Sequence, residues 1–215
     1  MQPTPTTPPR NGIAARLVAR PAVWAALVAV LFGVPLGRSL LRKVPPAQPV
    51  LGTLPAFTLT DQEGRPFGTR DLVGKVWVAD FIFTACQGSC PLLSQKMAEV
   101  AHRGRHLGAD LHLVSLTVDP ANDTPARLAA YAARYGASAR KWSFLTGRME
   151  DIQAAVTGGF KIGMGKEKNG DFWEIFHGEK LVLVDRELRI RGYFSATPEG
   201  LAALMDAIAS VINRA

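Results

Sequence analysis

Two runs in this chain, residues 75–83 (KVWVADFIF) and 111–119 (LHLVSLTVD), are apolar at nearly every position instead of every second one. That pattern predicts strands buried on both faces. Between them, from Pro91, the period changes: Leu93, Met97, Val100, Gly104 and Leu107 fall on one stripe of a helix. Thr124 followed by Pro125 predicts a helix start, with Leu128, Tyr131 and Tyr135 on its apolar side. Residues 142–147 (WSFLTG) predict a short strand and 149–156 (MEDIQAAV) a short helix. The segments EKLVLVDR and LRIRGYFSA predict a hairpin around Asp185 and Arg186. Thr197, Pro198 and Glu199 open a last helix carrying Leu201, Leu204, Met205, Ile208 and Ile212. Near the start of this region, AFTLTDQEGRPFG alternates around an Asp-Gln-Glu-Gly turn, as an N-terminal hairpin does. Strands alternating with helices imply an α/β fold with helices on both faces of a parallel sheet, made mixed by the hairpins.

The first 50 residues follow another pattern. They hold nine of the 15 prolines, at a density that opposes a packed core. Residues 21–37 (PAVWAALVAVLFGVPLG) carry no charge and run for 17 residues, the lower end of the roughly 17–25 that span a bilayer. The expected organisation is a short basic tail over 1–20, a transmembrane anchor or uncleaved signal over 21–37, a linker over 38–50, and one folded domain over 51–215. A cleaved signal peptide is the rival, although its apolar region is usually only about 7–15 residues.

The formal charge of +7 belongs to that end. Arg10, Arg16, Arg20, Arg38, Arg42 and Lys43 stand in residues 1–43 without any Asp or Glu, leaving 19 basic against 18 acidic residues beyond. The excess suits membrane insertion and anionic lipid. It gives no support to nucleic-acid binding. A short N-terminal tail before a large domain favours placing the domain outside the cytoplasm.

Cys86 and Cys90 are the only cysteines, four apart in FTACQGSCP, and both fall where the first buried strand passes into the first helix. In open α/β sheets ligands bind at that carboxyl edge. The N–H groups and dipole of a helix start favour thiolate, which attacks disulfides and also binds metal. A redox dithiol and a soft-metal site are both left open by the spacing, beside the plainer reading of two small core residues.

Four histidines are available as a third donor. His102 and His106, four apart on a helix, project opposite its apolar stripe as a solvated face does. His112 opens a strand. His177 ends DFWEIF just before a glycine and the following hairpin, a turn that can overhang the carboxyl edge and face the thiols. Two thiolates and an imidazole suit copper, and thiolate also tolerates zinc. Met164, in KIGMGKEKNG, offers a thioether, with a loop methionine as the plainer account. The same loop does not fit a phosphate-binding motif, since Phe160 and Glu167 stand where glycine and a hydroxyl residue are needed.

FTACQGSCP, LTVDPANDTPARLAAYAARYGA, WSFLTG and a histidine before a strand ending in Asp together make the chain resemble the Sco/SenC proteins over most of residues 50–213. The resemblance implies a thioredoxin-like fold and a membrane-anchored copper protein that assembles the copper centre of cytochrome c oxidase. It implies copper ligands at Cys86, Cys90 and His177, with Cu(I) or Cu(II) as cargo. The implied partners are the copper-containing oxidase subunit and other copper chaperones or thiol reductants, on the periplasmic side of a bacterial inner membrane. Family members often have proline after the first cysteine and Asp before the histidine, where this chain has Gln87 and Phe176. Some members are thought to act as thiol-disulfide reductants, so a membrane-anchored thiol-disulfide oxidoreductase is the second expectation, and enzyme activity is left undecided.

Overall fold

The computed structural model describes residues 21–40, 48–169, 172–177 and 179–213; side chains at 36, 38–40, 108, 109, 166–169 and 172–177 are not described. The chain divides into two compact units, Met1–Val44 and Pro45–Ala215. In the first, α1 (Pro21–Leu40) contains the whole uncharged run, and Trp24, Val28, Leu31 and Phe32 are among its exposed side chains. Among the described residues no helix is long and apolar enough to cross a membrane.

The second unit is built on an eight-stranded mixed sheet in the order β1-β10-β9-β4-β5-β6-β2-β3. The strands are β1 (Gly52–Thr53), β2 (Thr58–Asp61), β3 (Pro66–Gly68), β4 (Val76–Ile82), β5 (Leu111–Thr117), β6 (Trp142–Thr146), β9 (Lys180–Val184) and β10 (Arg189–Ser195). β4, β5 and β6 are parallel, while β9 and β2 pair antiparallel on either side of them. Every residue of β4 and β5 is buried, as their nearly continuous apolar runs predict.

Alternation along β4 divides the interior. Val76, Val78 and Ile82 face a core closed by α3 (Ser89–Arg103), α4 (Pro125–Arg134) and α6 (Pro198–Ile212). Trp77, Ala79 and Phe81 face the other, built with Leu72, Ile152 and Phe160. Trp77 and Phe81 both meet the Phe160 ring edge-on, at 5.8 and 5.1 Å between centroids. Fully burying such a side chain contributes about 1.5–3 kcal/mol. The helix starts follow their sequence signals: Thr124 and Thr197 each accept a backbone N–H three residues on, with Pro125 and Pro198 at the first helical position.

The hairpins β2–β3 and β9–β10 close with one device. In DQEGR the Asp61 carboxylate accepts the N–H groups of Glu63 and Arg65 and pairs with the Arg65 guanidinium. In DRELR Asp185 does the same for Glu187 and Arg189. Between them lie short helices α2 (Thr69–Leu72) and α5 (Met149–Gln153); a π-helical turn, Ala154–Gly159, extends α5.

One sequence expectation is corrected here. Within KIGMGKEKNG, Met164–Asn169 is not a loop: it forms β7, which pairs with β8 (Phe172–His177) in a separate two-stranded sheet. The glycines and lysines give β7 no strand signal of its own, and it exists as a strand through its ladder to β8.

Candidate metal centre

The thiol loop starts where β4 runs out. Asp123, buried behind it, accepts the N–H of Thr84 at 3.0 Å and the Thr84 hydroxyl, and the Thr117 hydroxyl from the end of β5. One carboxylate thus ties together the exits of two parallel strands. The Cys86 N–H then donates to the Phe83 carbonyl at 3.1 Å, folding the chain into a tight turn. Gly88 is the N-cap of α3 and brings no side-chain cap, so Cys90 sits in the helix's first turn. Cys86 is half-exposed and Cys90 is fully buried.

No disulfide joins Cys86 and Cys90, and the Cys86 side chain is near enough to act on the Cys90 thiol, so the two sulfurs are neighbours. Burial, and then the Cys86 side chain, push the Cys90 thiol well above its ordinary value. The helix start was expected to favour thiolate; here desolvation outweighs the dipole, because the charge would sit in the core and not at the surface. Cys90 therefore holds its proton until a cation or a new sulfur bond replaces it, and metal uptake must release that proton.

Beneath the pair lies a residue that the sequence reading passed over. Asp80, in the middle of β4, is completely buried, and burial raises its carboxyl to about 7 against the opposing hydrogen bond from Ser115. Trp142 Nε1 donates to Ser115 Oγ at 2.9 Å, and Ser115 donates to Asp80 Oδ1. Asp80 Oδ2 has no hydrogen-bond partner among the described residues. Its negative charge is among the influences that raise Cys90. The signal was visible in KVWVADFIF, where a carboxylate interrupts a strand apolar on both faces.

The histidines separate. His102 lies in the last turn of α3, His106 lies beyond it in a 3-10 turn, Gly104–Asp110, and both are exposed. They do not share one helix as their spacing suggested, because α3 stops at Arg103. His112 pairs with Trp77 at the far end of the sheet from the thiols. It stacks on Phe67, its Nε2 lies 3.0 Å from Ser143 Oγ, and burial lowers it to about 4. It is a neutral core residue.

His177 closes β8, and its ladder partner is Met164. Three residues later Lys180 begins β9, which runs antiparallel to β4 with Val182 opposite Ala79. Its start thus lies at the end of the sheet where β4 gives way to the thiol loop. Three residues of extended chain reach at most about 10 Å, so His177 is tethered to that end. A groove of about 780 Å³ supports this, being lined by Ser89 and Leu92 on one side and Glu179 and Lys180 on the other. Ser89 adjoins Cys90, and Glu179 stands two residues after His177. Among the described residues no three His, Cys, Asp or Glu side chains form a metal cluster, and the His177 side chain is not among those described. The donor set fits a soft cation: two adjacent sulfurs whose negative charge, once the protons leave, a metal ion would neutralise.

A family model described as SCO1/SenC matches residues 47–213. A protein of Stutzerimonas stutzeri named as a putative copper-binding protein is 32% identical over 162 residues, covering 74% of this chain and 77% of its own. A SCO1/SenC family lipoprotein from Bacillus anthracis superposes with a TM-score of 0.69 at 33% identity, over 77% of this chain and 98% of that one. BsSco, described as a member of the Sco family of cytochrome c oxidase assembly proteins with a disulfide switch, gives a TM-score of 0.66 at 28% identity, over 77% and 96%. These likenesses carry the thioredoxin-like fold expected from the sequence.

Proposed function

Because the chain belongs to the SCO1/SenC family, we propose that it is a copper metallochaperone that holds copper through Cys86, Cys90 and His177 and passes it to the copper-containing subunit of cytochrome c oxidase. The observation that carries this reading is the pair of neighbouring thiols, not joined by a disulfide, at the exit of β4. Two thiolates supply soft donors, and an imidazole tethered to the same sheet end completes a three-donor set. Loading displaces the Cys90 proton, and transfer proceeds by exchanging these ligands for those of the client. The half-exposed Cys86 is the thiolate that a client's sulfur reaches first.

Residues 21–37 are proposed as a membrane anchor that keeps the domain on the periplasmic side of a bacterial inner membrane, beside the oxidase and other copper chaperones. Three basic residues stand on each side of the run, so their balance sets no direction; the short tail before a large domain is what favours this orientation.

A second reading rests on the same two thiols. Cys86, the more exposed sulfur, would attack a client disulfide; Cys90 would then displace the client thiol. The client would be reduced to two thiols and the pair oxidised to the Cys86–Cys90 disulfide. His177→Ala separates the two. Copper titration of the full-length protein is expected to give one tightly held ion per chain, lost in Cys86→Ser and Cys90→Ser and weakened at least 10-fold in His177→Ala. Reductase activity needs no imidazole and should survive that change. Unaltered copper binding and oxidase assembly in His177→Ala would hand the lead to the redox reading.

A further inference from the structure

Three residues of α3 form a stripe that starts beside the thiols. Ser89, Leu92 and Lys96 recur three and four apart, so they share one side of the helix. Leu93, Met97 and Val100 turn into the first core, whereas Leu92 is 49% exposed. Across from this stripe stand Glu179 and Lys180 at the start of β9, and Ala196 and Pro198 where β10 passes into α6. These are the two walls of the groove of about 780 Å³. Groove and thiols lie on one side of β4: Cys90 is part of the first core, and Cys86 and Ala196 both pack against it. A Cβ built at Gly88 would come within 4.0 Å of Cys86 Sγ. The half-exposed sulfur thus sits beside the N-cap of α3, one residue before Ser89.

The chemistry of the walls selects an occupant. Leu92, Ala196 and Pro198 give the groove an apolar bed. A lysine stands on each wall, Lys96 on α3 and Lys180 on β9, and Glu179 is the one carboxylate among the lining residues. Lys96 pairs with Glu99 at 3.0 Å, but Glu99 also pairs with Arg103. Lys180 is exposed and has no ion pair among the described residues. An apolar bed with an excess of positive charge at its rim complements a segment that carries an apolar side chain next to a carboxylate. The volume lies within the roughly 300–1,000 Å³ of sites that enclose a whole ligand, and is more than a single side chain fills. Ligand exchange says which molecule brings that segment. A partner whose thiols meet copper at Cys86 must cover the surface adjoining Cys86.

We propose that this groove is the docking site of the copper-receiving partner, which lays an apolar side chain against Leu92 and Pro198 and a carboxylate between Lys96 and Lys180. The inference rests on the chaperone reading and adds to it the surface that holds the partner. Docking there brings the partner's thiols to the Cys86 end of the groove. Copper passes to them with its oxidation state unchanged, and Cys86 and Cys90 take back the protons that the partner's thiols release.

The test uses the full-length protein in detergent, loaded with one equivalent of Cu(I) and mixed with the copper-free copper-containing subunit of the oxidase. Leu92→Gln removes the exposed apolar anchor and keeps a good helix former; Lys180→Glu reverses the rim charge. Both should hold one Cu(I) with wild-type affinity and release it to dithiothreitol at the wild-type rate, because a small thiol needs no groove. Transfer to the subunit should slow about 10-fold in each, the loss expected for an interface anchor. In Lys180→Glu the salt dependence of that transfer should also disappear. Wild-type transfer to the subunit by both variants would overturn the groove's role and leave the chaperone reading standing. Equal slowing toward dithiothreitol and the subunit would also overturn partner docking, since the changes would then act on the copper site itself. A wild type that binds no copper, or binds it and passes none to the subunit, would overturn both readings.

Discussion

Thr84 gives both of its hydrogen-bond donors, backbone N–H and hydroxyl, to the carboxylate of Asp123, thirty-nine residues further along the chain. The bond joins the first residues after β4 to the loop that leads into α4. The thiol turn is thus anchored by a partner outside its own segment. Asp123→Ala would leave the buried Thr117 hydroxyl and the half-buried Thr84 donors without their acceptor, at about 1–3 kcal/mol for a fully buried unmet group and less for the Thr84 donors. Urea unfolding should show a loss of several kcal/mol, and amide exchange at Thr84 and Cys86 should quicken. Unchanged exchange there would show that the loop holds its shape without this carboxylate.

Asp80 sets a pH dependence of unusual sign for a carboxylate. Its folded pKa is raised to about 7 from 3.8. Between those values the unfolded chain has lost a proton that the native chain keeps, so stability falls as pH rises through the window. The full difference of about three pH units corresponds to about 4 kcal/mol at 1.36 kcal/mol per unit. Asp80→Asn in the copper-free, reduced protein should match wild type near pH 4 and exceed it increasingly toward pH 7. Parallel stability curves for the two proteins across this range would show that Asp80 is ionised in the native state.

His112 works against it. Burial lowers its folded pKa to about 4 from 6.5. The stability it confers is complete above the unfolded value and is lost as pH falls from 6.5 toward 4, by roughly 3 kcal/mol at most. Wild type therefore carries two opposed slopes over the same range. His112→Gln should gain stability relative to wild type on acidification, whereas Asp80→Asn should lose its advantage. Guanidinium unfolding at closely spaced pH values would read both slopes, and identical slopes in all three proteins would refute the opposition.

The anchor proposal is tested by fractionation. Full-length protein should sediment with membranes and resist carbonate extraction, and protease should reach residues 51–215 only from the periplasmic side. Recovery of a mature chain lacking residues 1–37 would show a cleaved signal instead.

Much of this protein could be read from local pattern. The runs 75–83 and 111–119 became β4 and β5 within one or two residues, because a strand buried on both faces is apolar at nearly every position. Thr124-Pro125 and Thr197-Pro198 started helices where they stand, since capping is decided within one turn. The placement of both cysteines at a strand–helix junction was legible for the same reason.

What local pattern could not decide depends on residues distant in sequence. β9 lies antiparallel beside β4 although a hundred residues separate them, and β7 is a strand only because β8 pairs with it. The anchoring of the thiol loop by Asp123 is a contact across 39 residues. The protonation of Cys90 and Asp80 is set by how completely the fold removes water from them, which no spacing of residues records. Local order along the chain marks which segments are buried and which side chains offer soft donors. Which of those groups meet, and in what charge state, depends on packing and desolvation, which exist only once distant segments have closed on one another.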